Sequence, residues 1–359
     1  MSIFSRFLIR HIFIGFLVAA GLFIPLFTTF NLINELEDVT PGGYHWTQAV
    51  GVVLLTLPRT VCDISPFIVL FGGIIGLGQL SKSLELTAIR VAGVSIIRIS
   101  AIAACAGLML TVALASLDEW VASPLQQYAV RLKDTSLADS GNVENSRQQL
   151  WARHDNEFVT VKMLDKNNQP EGIEIFYYQP DMTLRSYIYA STATVQNKQT
   201  WTLHNVYQKI WDNGTERVIK HPSMQWQSIF TGMHLAELTM PSDSFSVVQL
   251  KRYIQYLQAS GQPSVEFQIA LWEKPGRCLL ILAMILLAIP FTFGNVREPG
   301  LGGRLVLGVI VGLLVYISYQ IVVNLGLLLS LNVQVTALSL PVLLLIVAMV
   351  LIYRFDKRH

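Results

Sequence analysis

Six stretches of this chain are apolar over about the roughly 20 residues that a helix needs to cross a bilayer, running from Ile12 to Phe30, Val61 to Gln79, Ile99 to Leu117, Phe267 to Phe293, Leu305 to Leu329 and Ala337 to Tyr353. Nothing constrains the fold more, because a backbone inside a bilayer must satisfy its own hydrogen bonds and so becomes helix or closed barrel. Runs of this length and continuity are helices. The second is the least clean. Apolar residues begin near Ala49, but Pro58, Arg59 and Asp63 interrupt them, leaving a stretch too long for one span and too short for two.

Basic residues set the direction of the spans. With the N-terminus inside, the inner segments carry Arg6 and Arg10, then Lys82, Arg90 and Arg98, then Arg297 and Arg304, then Arg354, Lys357 and Arg358. The short outer loops carry none, and between Asn31 and Gln48 the only charges are the acids Glu35, Glu37 and Asp38. This predicts both termini in the cytoplasm. The opening residues, with Arg6 and Arg10 ahead of an apolar run, read as an anchor because the run continues past Ala19 and Ala20 to Phe30, longer than the core of a signal peptide.

One outer segment, Asp118 to about Val265, is long. Its middle alternates β-rich runs with turn residues: LWARHDNEFVTVKML, IEIFYYQ, RSYIYASTATV, TWTLHNVYQKIW and RVIKHPSMQW, separated by DKNNQPEG, QPDM, QNKQ and DNGT. Such strands predict a β-sandwich or jelly roll inserted between the third and fourth spans. Helical connectors flank it: DEWVASPLQQYAVRLKD continues out of span three, and SVVQLKRYIQYLQ places Val247, Leu250, Ile254 and Leu257 on one face.

No reaction chemistry is legible. GLGQLSKS (Gly76 to Ser83) has Ser81 where a phosphate loop needs glycine, and it ends a membrane helix rather than a strand. The chain lacks HExxH, GxSxG and CxxC; its seven histidines are scattered, and Cys62, Cys105 and Cys278 have no paired spacing. No catalytic or metal-binding residue is assigned, and the small net charge of +2 gives no reason to expect nucleic acid.

Four features remain. LSKSLELTAIRVAG (Leu80 to Gly93) reads as one short helix between spans two and three, with Leu80, Leu84, Ala88 and Val91 at helical spacing and Glu85 three residues after Lys82. It is either a solvated cytoplasmic turn or an amphipathic helix that docks on a partner through Leu84, Leu86 and Ile89 with Glu85 as an oriented charge. Arg59, Arg131 and Lys133 sit near the outer membrane boundary, where such residues usually anchor helices and otherwise face an anionic amphiphile. Tyr316, Gln320 and Asn324 form a polar line suited to contact between helices, and Pro25 can kink span one.

SLELTAIRVAGVS (Ser83 to Ser95), DEWVASP (Asp118 to Pro124), LWARHDNEFVTVKM (Leu150 to Met163) and FTFGNVR (Phe291 to Arg297) resemble the LptF/LptG permeases of lipopolysaccharide export, and the EWVA and LWAR stretches are most similar to the LptG branch. The resemblance covers essentially the whole chain. It implies a polytopic α-helical membrane protein with six transmembrane helices and an inserted periplasmic β-jellyroll domain. The expected division is residues 1–135 for spans one to three with a coupling helix near 81–93, 136–245 for the β-domain, and 246–359 for a connector helix and spans four to six.

What the resemblance implies for function is a non-catalytic permease subunit of an ABC transporter. Such a subunit extracts lipopolysaccharide from the inner membrane of a Gram-negative bacterium and passes it to a periplasmic β-jellyroll bridge. Its implied partners are an LptF-like permease, an LptB-like ATPase dimer that binds the ATP and Mg, and an LptC-like protein. No cofactor is expected on this chain. Glu85, with Leu84, Leu86, Ile89 and Arg90, would couple to the ATPase, and Arg59, Arg131 and Lys133 would meet lipid phosphates. In one place the chain departs from the family: where lysines are expected at the outer end of span one it has Asn31, Asn34, Glu35, Glu37 and Asp38. The rival reading from another class is a membrane-anchored sensor or scaffold with a ligand-binding β-domain.

Overall fold

The computed structural model describes residues 3–39, 43–138, 150–165, 169–181, 183–197, 200–212, 215–230, 240–292, 301–329 and 331–358. The chain forms two compact units, one from Met1–Glu37, Val53–Gln126 and Gln268–His359, the other from Asp38–Val52 and Gln127–Phe267.

Six helices among the described residues are long and apolar enough to cross a membrane. In chain order the helices are α1 (Ile3–Glu37), α2 (Trp46–Lys82), the short α3 (Glu85–Val91), α4 (Ile96–Leu117), α5 (Ser123–Ala138), α6 (Val247–Ala259), α7 (Val265–Thr292), α8 (Leu301–Leu328) and α9 (Val333–Arg358). The ambiguous second stretch is a single helix that continues through Pro58 and Pro66. Its 37 residues rise about 55 Å at 1.5 Å each, well beyond a bilayer core of about 30 Å. The excess length, rather than a seventh span, accounts for the apolar residues before Pro58. Span three is likewise extended: α4 runs through one π-helical turn, Asp118–Ala122, into α5.

The helical unit packs around Leu8, Ile12 and Phe16 of α1, Leu70, Ile74 and Leu77 of α2, Ile99 and Ala103 of α4, and Ile281, Ile285 and Ala288 of α7. Small residues bring α1 and α2 together. A Cβ on Gly76 would lie 2.6 Å from the carbonyl oxygen of His11, and one on Gly15 would run into the carbonyl of Gly72, so the two backbones touch at a small-xxx-small crossing. The outward faces of α1 and α8 expose Leu17, Leu22, Phe30, Leu313 and Leu314, apolar surface suited to lipid or a second membrane protein.

The second unit holds one antiparallel sheet of β1 (Leu150–His154), β2 (Glu157–Leu164), β3 (Pro170–Tyr178), β4 (Leu184–Asn197), β5 (Thr200–Asp212) and β6 (Thr215–Gln227), paired in sequence order. The expected antiparallel β-insert is present. Its described strands form a meander, however, without the crossed strand order of a Greek key, because each strand pairs with its immediate neighbour in sequence. Lys166 to Asn168 in the first long turn, and the segment bearing Arg297, lie outside the described residues. Residues alternating along the strands build one apolar layer from Val159, Val161, Ile173, Ile175, Ile188, Leu203 and Val206. Trp201 stacks on Phe230 and meets Trp226 edge-on at one end of that layer. Pro222 sits in β6, the last of the described strands, opposite Asn205, where the β5–β6 register has no pair.

Helical periodicity places the connector that follows the sheet. In α6 the buried residues are Leu250, Tyr253, Ile254 and Leu257, and Ser246 caps the helix in a reciprocal box with Gln249. Tyr253 and Phe267 meet edge to face at 4.5 Å.

Candidate functional site

Two places in the helical unit carry polar residues that its apolar core does not explain: a charged cluster where α2, α4 and α7 meet, and the short helix α3.

The cluster draws one acid from the π-helical turn, an arginine and an acid from α2, and two cations from α7. Asp118 accepts hydrogen bonds from Arg59 Nη1 at 2.9 Å and from Lys274 Nζ at 2.6 Å, with all three side chains about nine-tenths buried. Asp63, one helical turn from Arg59, forms an ion pair with Arg277 Nη2 at 2.9 Å and lies 3.4 Å from Arg59 Nε. The sequence fits this locally. Arg59 and Asp63 stand at i and i+4, and Lys274 and Arg277 at i and i+3, so each helix presents its pair on one face. A π turn holds one more residue than an α turn, rotating the downstream helix by about 100°. That lets α4 and α5 form one rod while Asp118 still faces the two cations.

Such charges are costly inside a membrane bundle, and they persist here because each faces an opposite charge. Among these five side chains, three cations against two acids leave a formal excess of one positive charge. Cys62, on the same turn of α2, is buried and its thiol approaches the carbonyl of Leu114 at 3.8 Å. Asp118, Asp63, Lys274 and Arg277 are absent from the residues expected on sequence grounds, although ionisable residues at helical spacing within apolar spans were a readable signal.

The expected substrate contacts separate. Arg59 belongs to the helical unit and is held by Asp118 and Asp63. Arg131 and Lys133 belong to the other unit, on α5. Arg131 is exposed, and Lys133 pairs with Asp38 at 2.7 Å. The acidic end of span one therefore meets a basic residue within this chain.

The stretch around Glu85 differs from the single helix expected. Leu80 and Lys82 end α2, Leu84 takes a left-handed conformation (φ 60°), and α3 begins only at Glu85. Because a left-handed residue breaks the helical hydrogen bonding, Lys82 and Glu85 do not share a helix face. Leu86 is 2% exposed and joins the core with Leu80, Ile96 and Ile99, while Ile89 packs against the same cluster. Those two anchor α3, Leu86 turned fully inward and Ile89 half-buried. The outward face is made by Leu84, 68% exposed, Val91, 84% exposed, and Glu85, Thr87 and Ala88. The next helix is fixed as firmly: Asp356 of α9 accepts from the backbone N–H of Ile96, and Ser95 caps Arg98.

Tyr316, Gln320 and Asn324 also face outward on α8, with Asn324 Nδ2 donating to the Gln320 carbonyl at 2.8 Å. The Tyr316 ring meets Phe67 of α2 at 5.9 Å, so the upper part of this polar line is packed on one side only.

Over residues 6–354 the sequence matches the profile described as Lipopolysaccharide export system permease LptF/LptG. The chain belongs to the LptF/LptG family. Relatives include the lipopolysaccharide export system permease protein LptG of Escherichia coli K12, 26% identical over 326 residues and 89% of each chain. The LptG of Haemophilus influenzae is 27% identical over 316 residues, 86% of this chain and 88% of its own. The matched region takes in all six spans and the β-insert, so family membership applies to the whole architecture and not to one half of it.

Proposed function

We propose that this chain is the LptG-like permease subunit of an ATP-driven exporter that takes lipopolysaccharide out of the inner membrane. An LptB-like ATPase dimer supplies the hydrolysis, an LptF-like permease completes the membrane part, and an LptC-like protein continues the β-bridge. Both termini lie in the cytoplasm, as the distribution of Lys and Arg favours. No nucleotide chemistry is asked of this chain.

The observation that carries the reading is the construction of α3. A seven-residue helix is far too short to be stable alone, yet it is seated by Leu86 and Ile89 and turns Leu84, Glu85 and Val91 outward. Apolar side chains flanking an acid on a fixed helix suit a groove on a moving partner. Arg90 lies at the C-terminal end of α3, where its charge complements the helix dipole. The family relationship supports an LptB-like ATPase as that partner.

For the substrate, Arg131 is the exposed cation able to meet a lipid phosphate, Lys133 would share its charge between Asp38 and the ligand, and Arg59 contributes through the buried cluster. The outward Tyr316, Gln320 and Asn324 support a water-lined or partner-covered face on α8.

The test is capture of the ATPase by tagged full-length chain in detergent. Glu85→Ala and Leu84→Asp are expected to reduce ATPase recovery at least fivefold while insertion and recovery of the second permease stay normal. Undiminished recovery in both variants refutes the coupling role of α3.

A further inference from the structure

The face of the β-sheet opposite its apolar layer carries ordered rows of aromatic and basic side chains. Pairing across all six strands aligns Arg153, Phe158, Phe176, Tyr187, Lys209 and Val218 in one row. The neighbouring row holds Thr160, Glu174, Tyr189, Tyr207 and Lys220. These residues alternate with the buried Val159, Ile175, Ile188 and Val206, which fixes them on the other face. Ring centroids are 5.0 Å apart for Phe176 and Tyr187 and 6.4 Å for Tyr189 and Tyr207. Cations reach over the rings: Arg153 over Phe158 at 4.9 Å and Lys220 over Tyr207 at 5.0 Å.

This pattern discriminates between occupants. A protein-docking face of this size is centred on side chains that can be fully desolvated, but here only Tyr207 and Val218 of the two rows are large apolar residues more than a third exposed. Rings set side by side at strand spacing, with hydroxyls and carboxylates between them, suit flat molecules with one apolar face and many hydroxyl groups. Sugars have that shape: their axial C–H groups carry slight positive charge toward the negative face of a ring. The four cations Arg153, Lys162, Lys209 and Lys220 outnumber the acids Glu174 and Glu216, which pair with Lys162 and Lys209. The excess sits at Arg153 and Lys220, beside the rings, where a phosphate or carboxylate on a stacked sugar would meet it.

We propose that this face of the sheet binds an acidic oligosaccharide, namely the sugar portion of the glycolipid, leaving the apolar layer on the opposite face free of it. The choice of sugar rests on the export reading above; the binding itself does not.

The test uses the full chain in detergent, with lipid-free phosphorylated oligosaccharide made by complete deacylation of lipopolysaccharide as the probe and neutral dextran of similar length as comparison. Saturation-transfer NMR and titration calorimetry are expected to show saturable binding of the acidic probe and weaker binding of dextran. Joint replacement Tyr189→Ser and Tyr207→Ser should weaken binding roughly tenfold, about what two stacking rings supply. Lys220→Gln should weaken it and flatten its salt dependence. Near-UV circular dichroism of the Trp201–Trp226 pair on the opposite face verifies that each variant is folded. No saturable binding, equal binding of dextran, or undiminished binding by the folded tyrosine variant overturns the proposal. So does a tyrosine variant that alters only the oligomeric size of the chain, which would make the face a protein interface. ATPase capture through α3 is read separately, so failure here leaves the export reading intact and failure there leaves this one intact.

Discussion

Replacing Asp118 by Asn tests the buried charge cluster directly. The carboxylate stands between Arg59 at 2.9 Å and Lys274 at 2.6 Å, each cation with a side chain 11% exposed. Asn keeps the shape and one acceptor oxygen but removes the charge, leaving two desolvated cations facing each other. Breaking a buried pair by removing one partner costs about 3–5 kcal/mol; with one hydrogen bond retained, the lower end, about 3 kcal/mol, is expected. At roughly 2–4 °C per kcal/mol for a unit of this size, the helical unit should melt about 6–12 °C earlier. Cys62 provides the readout because it is buried beside the cluster, while the exposed Cys105 and half-buried Cys278 are replaced by Ser in the background. A thiol-reactive fluorophore followed during heating in a fixed detergent reports when α2, α4 and α7 part. The double variant Asp118→Asn with Lys274→Met should recover part of the loss, since it removes one of the two stranded cations while Arg59 keeps Asp63 at 3.4 Å. A single variant that melts within about 1 °C of the parent, with Cys62 equally protected, refutes the view that these charges hold the three helices together.

Gly76→Leu puts a side chain where a Cβ already lies 2.6 Å from the His11 carbonyl, so α1 must separate from α2; the expected loss of several kcal/mol should appear as proteolysis of the N-terminal helix, whereas Gly21→Leu, at a site with open space, should be harmless. Burial raises the Tyr253 hydroxyl from its ordinary value of 10.0 to about 12, and burial together with Glu157 raises that of Tyr177 higher still. Both groups therefore stabilise the fold fully below pH 10 and lose that contribution as pH rises through their folded values. Absorbance titration of the tyrosines should show at least two ionising late and together with unfolding, and independent ionisation of all twelve near pH 10 would contradict this.

The strands were legible because turn residues punctuate them: β1 and β2 lie within the first β-rich run, and β3 to β6 are each centred on one of the next four, with ends that run past those runs, in places into the turn segments DKNNQPEG, QNKQ and DNGT. The six spans were legible because an unbroken apolar run of about 20 residues suits little besides a bilayer. What could not be read was anything set by packing between distant segments. Leu84 is a residue with no preference for positive φ, so nothing local announced the break that puts Leu86 inward and Leu84 outward. Arg59 looked like an interfacial cation because Asp118, its buried partner, lies 59 positions along the chain, and Lys274, which shares that acid, lies 215. The meander was likewise invisible to a pattern that identifies strands but not their order.

Under the proposed transport function, α2 links the two polar places. It carries Arg59 and Asp63 toward one end and runs without interruption to Lys82, next to α3. From Arg59 to Lys82 is about 35 Å of helix, lined by the fully buried Leu70, Ile74, Leu77 and Leu80 and crossed by the backbone of α1 at Gly72 and Gly76. A close-packed interior of this kind has little compressibility, so displacement of α3 cannot be absorbed along the helix. It must reach the cluster, where α4 and α7 either follow α2 through the pairs on Asp118 or the pairs break. The first outcome moves three helices as one body; the second makes the cluster a switch with two states. Their difference is measurable. A Cys62 that stays equally protected through the nucleotide cycle means the three helices travel together, and periodic exposure means that the pairs open and close.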